Sequence, residues 1–94
     1  MDPVTETRFQ CPVCGYPELV EPPWQGGAPS DEICPSCGIH FGFDDVAGGD
    51  PAVRLEVYKA LRAKWEAGGC RWFSSARSRP EGWDPIDQLR PVRD

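Results

Sequence analysis

The sequence predicts a small α+β domain, in which a doubled cysteine knuckle with short β-strands precedes one amphipathic helix and an irregular aromatic C-terminal segment. Three observations predict this fold. The near copies CPVCG and CPSCG begin at Cys11 and Cys34. An apolar period typical of a helix follows between Asp50 and Gly68. Beyond the helix, Trp, Phe and Pro recur without a period.

The length of the chain, 94 residues, is that of one ordinary domain. We expect a single domain over residues 1–94. Its expected parts, in chain order, are a loose tail (1–8), a double-knuckle metal ribbon (9–45), a helix (50–68) and an irregular aromatic segment that packs back (69–94).

Each knuckle separates its two cysteines by two residues, so that both sulfurs can reach one ion from a tight turn. Gly15 and Gly38 follow the knuckles and tolerate the left-handed conformation that such a turn needs. Nineteen residues separate the two knuckles, as in ribbon-type zinc sites. The predicted metal ligands are therefore Cys11, Cys14, Cys34 and Cys37.

Four thiolates in a tetrahedron suit zinc or iron. We expect one zinc ion, because a closed four-cysteine site leaves no open position for a substrate. Iron at the same four sulfurs is the alternative. His40 is interpreted as a strand residue and Cys70 as a small core residue, since four cysteines already complete the site.

The N-terminus, MDPVTETRFQ, has neither the basic region nor the apolar stretch of a signal peptide. No apolar run approaches the roughly 20 residues that cross a bilayer. We therefore expect a cytoplasmic protein without a membrane partner. Thiols stay reduced in the cytoplasm, so the cysteines are expected to bind metal rather than form disulfides.

Short strands are expected around the knuckles. Phe9 would enter the first knuckle and residues 16–20 would leave it, whereas the Pro- and Gly-rich residues 21–31 would break regular structure. A half-buried strand is predicted from the alternation of Ile39, Phe41 and Phe43.

The helix has clear ends, with Asp50 as N-cap, Pro51 at the first helical position and Gly68 as the stop. The expected core-facing stripe consists of Val53, Val57, Leu61 and Trp65, widened by Tyr58. On the other side, Arg62 is expected to pair with Glu66 one turn on. After the helix, Trp72, Phe73 and Trp83 are expected to pack on the ribbon or the helix.

Two resemblances follow from these motifs. The stretch FQCPVCGYPE is similar to the first knuckle of rubredoxins, which implies iron-based electron transfer. The stretches CPVCGYPEL and EICPSCGIHFGFDD, with GGCRWF and GWDP further on, resemble the cysteine-rich CPCC-type family of small bacterial proteins. That resemblance covers most of the chain and implies a bacterial metal-binding protein, without supplying a reaction.

Charge is unevenly distributed along a chain whose formal net charge is −5. Residues 1–53 contain nine acidic residues and one Arg, whereas residues 54–79 contain seven basic residues and two acidic ones. We expect a protein partner for a basic face, comprising Arg54, Arg62, Arg71, Arg77 and Arg79, or for the acidic N-terminal loops. Nucleic-acid binding, with Trp72 as a stacking side chain, is an alternative that the overall acidity disfavours.

No enzymatic activity is expected. One His and scattered Ser residues do not assemble a nucleophile, a base and an orienting group. The segment FDDVAGGDP does not have the spacing of a calcium loop. The sequence therefore predicts a zinc-stabilised, non-enzymatic protein-interaction module, with iron electron transfer and nucleic-acid binding as alternatives and thiol–disulfide exchange ranked last.

Overall fold

The computed structural model describes residues 7–93, which form a small α+β structure. The predicted tail lies largely outside the described residues. The regular elements are β1 (Trp24–Gln25), β2 (Ala28–Pro29), α1 (Pro51–Ala67) and α2 (Pro85–Leu89), with a 3-10 turn at Ala47–Gly49. Within residues 7–93, no helix has the length and apolar character that crossing a membrane requires.

Each knuckle is closed by a single antiparallel bridge rather than by long strands. Phe9 pairs with Leu19 around the first knuckle, and Ile33 pairs with His40 around the second. The predicted strand through Phe43 is wrong, because the chain turns after His40, whose carbonyl accepts from the backbone N–H of Phe43. Phe41 is therefore fully buried, while the Phe43 side chain is 74% exposed.

The only paired strands of the described chain lie where we expected none. β1 and β2 form an antiparallel hairpin around Gly26 and Gly27, with Trp24 opposite Pro29. A Gly-Gly pair supplies the backbone freedom that a two-residue hairpin loop requires, and Gly26 has φ of 61°. The Pro- and Gly-rich stretch therefore folds back on itself instead of staying irregular.

A buried carboxylate joins this hairpin to the helix. Asp45 is completely buried and accepts hydrogen bonds from the Trp24 indole N–H (2.9 Å), the Gly42 backbone N–H (2.7 Å) and the Tyr58 hydroxyl (2.7 Å). Burial, and then the bond to Asp45, raise the pKa of the Tyr58 hydroxyl above its ordinary value. Three donors thus compensate for removing one carboxylate from water.

α1 begins as predicted, with the Asp50 carboxylate accepting from the Ala52 N–H (2.9 Å). It ends at Ala67, and Gly69 takes the left-handed conformation after it (φ 95°). The expected core stripe is only partly correct. Tyr58 is the buried side chain of the helix, whereas Val53 is 46% exposed at the solvent edge.

Two arginines of α1 bind backbone carbonyls instead of facing solvent. Arg54 donates from Nε to the Asp45 carbonyl (2.8 Å), and its guanidinium lies 3.6 Å from the centroid of the Trp24 ring. Arg62 is likewise bound to the first knuckle, as described below. The predicted pair of Arg62 with Glu66 is wrong, because Glu66 instead pairs with Arg93 (3.3 Å).

The C-terminal aromatic residues pack back on the ribbon and the helix. Trp72 lies edge-on to Tyr16 (centroids 5.8 Å apart) and to Trp83 (5.3 Å), and Trp83 lies 6.4 Å from Trp65. Phe73 packs less deeply and is 59% exposed. This segment contains the short helix α2, capped by Asp84, which the aperiodic sequence did not indicate.

Removing the Tyr58 hydroxyl tests how much its hydrogen bond to the buried Asp45 carboxylate contributes to stability. We expect Tyr58→Phe to lower the free energy of unfolding by about 2 kcal/mol, because the hydroxyl donates to a charged group. The measurement is urea unfolding at a fixed free zinc concentration, since a bound ligand also stabilises the fold.

Tyr16→Phe is the matched control for that substitution. Tyr16 is as buried as Tyr58, but its hydroxyl only accepts a long bond of 3.4 Å from Arg77. We expect the control to cost less than about 1 kcal/mol. Equal losses in the two variants would contradict the role given to Asp45.

Candidate metal centre

The structure brings all four predicted cysteines together. Their sulfur atoms lie within 4.8 Å of one another, and they are the four residues of one cluster, Cys11, Cys14, Cys34 and Cys37. Two pairs of sulfurs join the knuckles, with Cys11 Sγ 3.8 Å from Cys37 Sγ and Cys14 Sγ 3.7 Å from Cys34 Sγ. A tetrahedron of metal–sulfur bonds of about 2.3 Å separates sulfurs by about 3.8 Å. The cluster therefore has the dimensions to hold one metal ion.

The two knuckles have the same backbone geometry. Gly15 N–H donates to the Cys11 carbonyl (2.9 Å), and Gly38 N–H donates to the Cys34 carbonyl (2.8 Å). Both glycines are left-handed, with φ of 83° and 87°. A residue with a side chain is strained in this conformation. The glycine of each CxxCG segment therefore allows the turn to form without strain.

Burial differs among the four ligands. Cys11, Cys14 and Cys34 have no exposed surface, whereas Cys37 is half-buried. Without a metal, burial raises the pKa of the Cys11 thiol, and hydrogen bonds from neighbouring thiols, Cys11 first, lower the pKa of Cys14. Metal binding then displaces protons from the cluster, because coordination requires thiolates.

The first knuckle is held by α1. Arg62 donates from Nε to the Val13 carbonyl and from a terminal nitrogen to the Pro12 carbonyl, both at 2.8 Å. These carbonyls lie between the two cysteines of the knuckle. A guanidinium that donates to both of them holds the loop of the first knuckle against α1.

Gln88 in α2 connects both knuckles to the C-terminal segment. Its Nε2 donates to the Cys14 carbonyl (3.1 Å) and to the buried Ser36 hydroxyl oxygen (2.9 Å). Its Oε1 accepts from the Trp83 indole (2.7 Å). The backbone at Gln88 also covers Gly15 so closely that a Cβ there would collide with the Gln88 carbonyl oxygen.

The second knuckle is covered by residues 73–74. Phe73 N–H is shared between the carbonyls of Pro35 and Ser36 (both 3.1 Å), and the Phe73 ring lies against Gly38. A side chain in place of Gly38 would overlap this ring. Gly15 and Gly38 are thus required for two reasons. Each allows the left-handed turn of its knuckle, and each leaves room for the C-terminal segment that packs on that knuckle.

His40 and Cys70 lie outside the cluster. His40 stacks on Phe43 (centroids 5.6 Å apart), and its Nε2 lies 3.6 Å from an Asp31 carboxylate oxygen. Cys70 is buried after α1, and burial raises the pKa of its thiol. Sequence reasoning did not find Arg62 or Gln88 as supports of the site, and no local motif indicates either of them.

We expect Gln88→Ala to lower metal affinity by about 10- to 100-fold, the range typical of residues that orient metal ligands. Competition with a chromophoric zinc chelator measures the change. Gln25→Ala removes an exposed amide from the hairpin and should leave affinity unchanged. A Gln88→Ala protein with the affinity of the parent would show that α2 does not support the site.

Comparison with known protein families, curated proteins and solved structures finds no significant match to this chain. The resemblance to the CPCC-type family therefore stays a prediction, and the four-sulfur geometry is the observation on which a function can be argued.

Proposed function

We propose that this protein is a zinc-stabilised, non-enzymatic protein-interaction module. One observation carries the proposal: four cysteine sulfurs lie within 4.8 Å of one another, and three of these cysteines are fully buried. A site closed by four thiolates keeps no coordination position for a substrate, which favours a structural ion. The predicted likeness to a metal-binding family of small bacterial proteins, and a cytoplasmic location, are consistent with this proposal.

The small core supports a structural role for the metal. Among residues 7–93, the buried hydrophobic set is short and contains four of the five cysteines. Structural zinc contributes an apparent ~10–16 kcal/mol to the folding of small domains. That contribution is large compared with the ~5–15 kcal/mol net stability of an ordinary domain.

A protein partner is favoured over nucleic acid by the positions of the basic and aromatic side chains. Arg54 and Arg62 are bound to backbone carbonyls. The basic face that the sequence predicted is therefore reduced to its other three arginines, Arg71, Arg77 and Arg79. Trp72, the candidate for base stacking, packs between Tyr16 and Trp83. Together with the net charge of −5, this leaves little surface suited to a polyanion.

Native mass spectrometry of protein isolated from its own host tests the metal. We expect one zinc ion per chain and no colour, because zinc has no redox chemistry and a filled d shell. One iron ion with a thiolate charge-transfer band would instead support electron transfer at the same sulfurs.

Substitution of a ligand tests the structural role. We expect Cys14→Ser to lower zinc affinity by more than about 100-fold, a larger effect than that of an orienting residue, and to abolish the cooperative unfolding transition. Cys70→Ser is the matched control, because Cys70 is buried outside the cluster. A metal-free Cys14→Ser protein that still unfolds cooperatively would contradict the proposal.

A further inference from the structure

A cleft of about 420 Å³ lies between the first knuckle and the segment around α2. Its size is that of a binding site for a small ligand or a few peptide residues. The lining includes Trp83, the buried Tyr16 and three exposed prolines, Pro17, Pro80 and Pro91. Aromatic and proline side chains on one groove suit an extended, proline-containing segment, which docks with little loss of conformational entropy.

The charges of this cleft have one sign. Glu18, Asp84 and Asp87 line it, and none of the described lining residues is Lys, Arg or His. Two of these carboxylates form ion pairs: Glu18 with Arg8 (3.6 Å) and Asp87 with Arg90 (3.0 Å). Neither arginine is among the residues that line the cleft. All four of these side chains are more than a third exposed, so the pairs are weak and an incoming cation can replace either arginine.

The aromatic wall of the cleft is held in place by contacts within the protein. The Trp83 indole N–H is held by Gln88 at 2.7 Å, and its ring packs against Trp72 and Trp65. A wall that needs no ordering on binding leaves more of the contact energy for affinity.

Both walls of the cleft are connected to the first knuckle of the candidate metal centre. One wall, from Gln10 to Glu18, contains the first knuckle, and the other is attached to that knuckle through Gln88. The geometry of the cleft is therefore coupled to that of the first knuckle.

We propose that this cleft binds an extended, proline-containing peptide segment that carries Arg or Lys. The inference rests on the proposed function as an interaction module and names the chemistry of the partner. Trp83 and the prolines receive the apolar side chains of the segment, while the three carboxylates receive its cation. Complementary charge of this kind mainly sets specificity and association rate.

The test uses zinc-loaded protein, whose metal content is first checked by native mass spectrometry. The probe is a fluorescein-labelled synthetic peptide, Pro-Pro-Arg-Pro-Pro-Arg, titrated at low salt. Anisotropy reports affinity, and the Trp83 indole signal in a ¹H–¹⁵N spectrum reports the site. We expect saturable binding that weakens with salt, a shifted Trp83 signal, and at least about tenfold weaker binding when Glu replaces Arg or Ser replaces Pro in the peptide.

Two triple variants distinguish the effect of the carboxylates in the cleft from the effect of the protein's overall negative charge. Glu18→Gln, Asp84→Asn and Asp87→Asn together remove its charges, and Asn still caps α2. This triple variant should bind the peptide at least about tenfold more weakly. The control triple variant removes three exposed charges elsewhere, with Glu21→Gln, Asp31→Asn and Glu56→Gln, and should change affinity less than about twofold.

Three other outcomes would overturn the inference. Equal weakening in both triple variants would mean non-specific attraction, and absence of binding by zinc-loaded protein would refute the cleft while leaving the structural metal intact. A dimer whose formation shifts the Trp83 signal would assign the cleft to a second copy of the chain. Conversely, cooperative folding and unchanged peptide binding without metal would refute the proposed function but not the cleft.

Discussion

The convergence of four cysteine sulfurs on one point is the constraint on which the rest of the structure depends. Sulfurs that lie within 4.8 Å of one another, three of them fully buried, cannot all carry charge without a cation between them. The surroundings instead fix the loops that carry the sulfurs, because Arg62 donates to two carbonyls of the first knuckle and the glycine turns close each loop. A metal then turns repulsion among thiolates into attraction.

A second centre, Asp45, organises the part of the chain that the cysteines do not reach. Its carboxylate gathers an indole, a hydroxyl and a backbone N–H from the hairpin, α1 and the intervening loop. α1 is the element common to both centres, since Tyr58 donates to Asp45 and Arg62 to the knuckle one turn later. A small set of polar contacts, rather than a large apolar interior, therefore fixes how the helix lies on the ribbon.

Features that are local in the sequence could be predicted, and features that depend on distant residues could not. The CxxCG spacing indicated which cysteines converge, and Asp50 with Pro51 indicated where α1 begins. Gln88 contacts Cys14 and Ser36 across 74 and 52 residues, and no local pattern encodes such pairs. Arg62 was assigned to the solvent side for the same reason.

Two other errors have local causes. The Gly-Gly hairpin signal was present, but the surrounding prolines outweighed it in our interpretation. The apolar alternation at Phe43 was overridden by a turn whose hydrogen bonds close on the His40 carbonyl. Metal identity lies beyond both sequence and geometry, because zinc and iron accept the same four sulfurs.

The covering of the knuckles by the C-terminal segment has a consequence for the order of assembly. Both CxxCG turns precede residues 73–88 along the chain, so a growing chain presents an open ribbon before Phe73 and Gln88 close over it. An ion that enters early is afterwards enclosed, and its exchange is governed by how often the closing segment opens. Cys37 is the one cysteine of the cluster that stays half-buried, so we expect it to be the first ligand that solution reaches during such an opening.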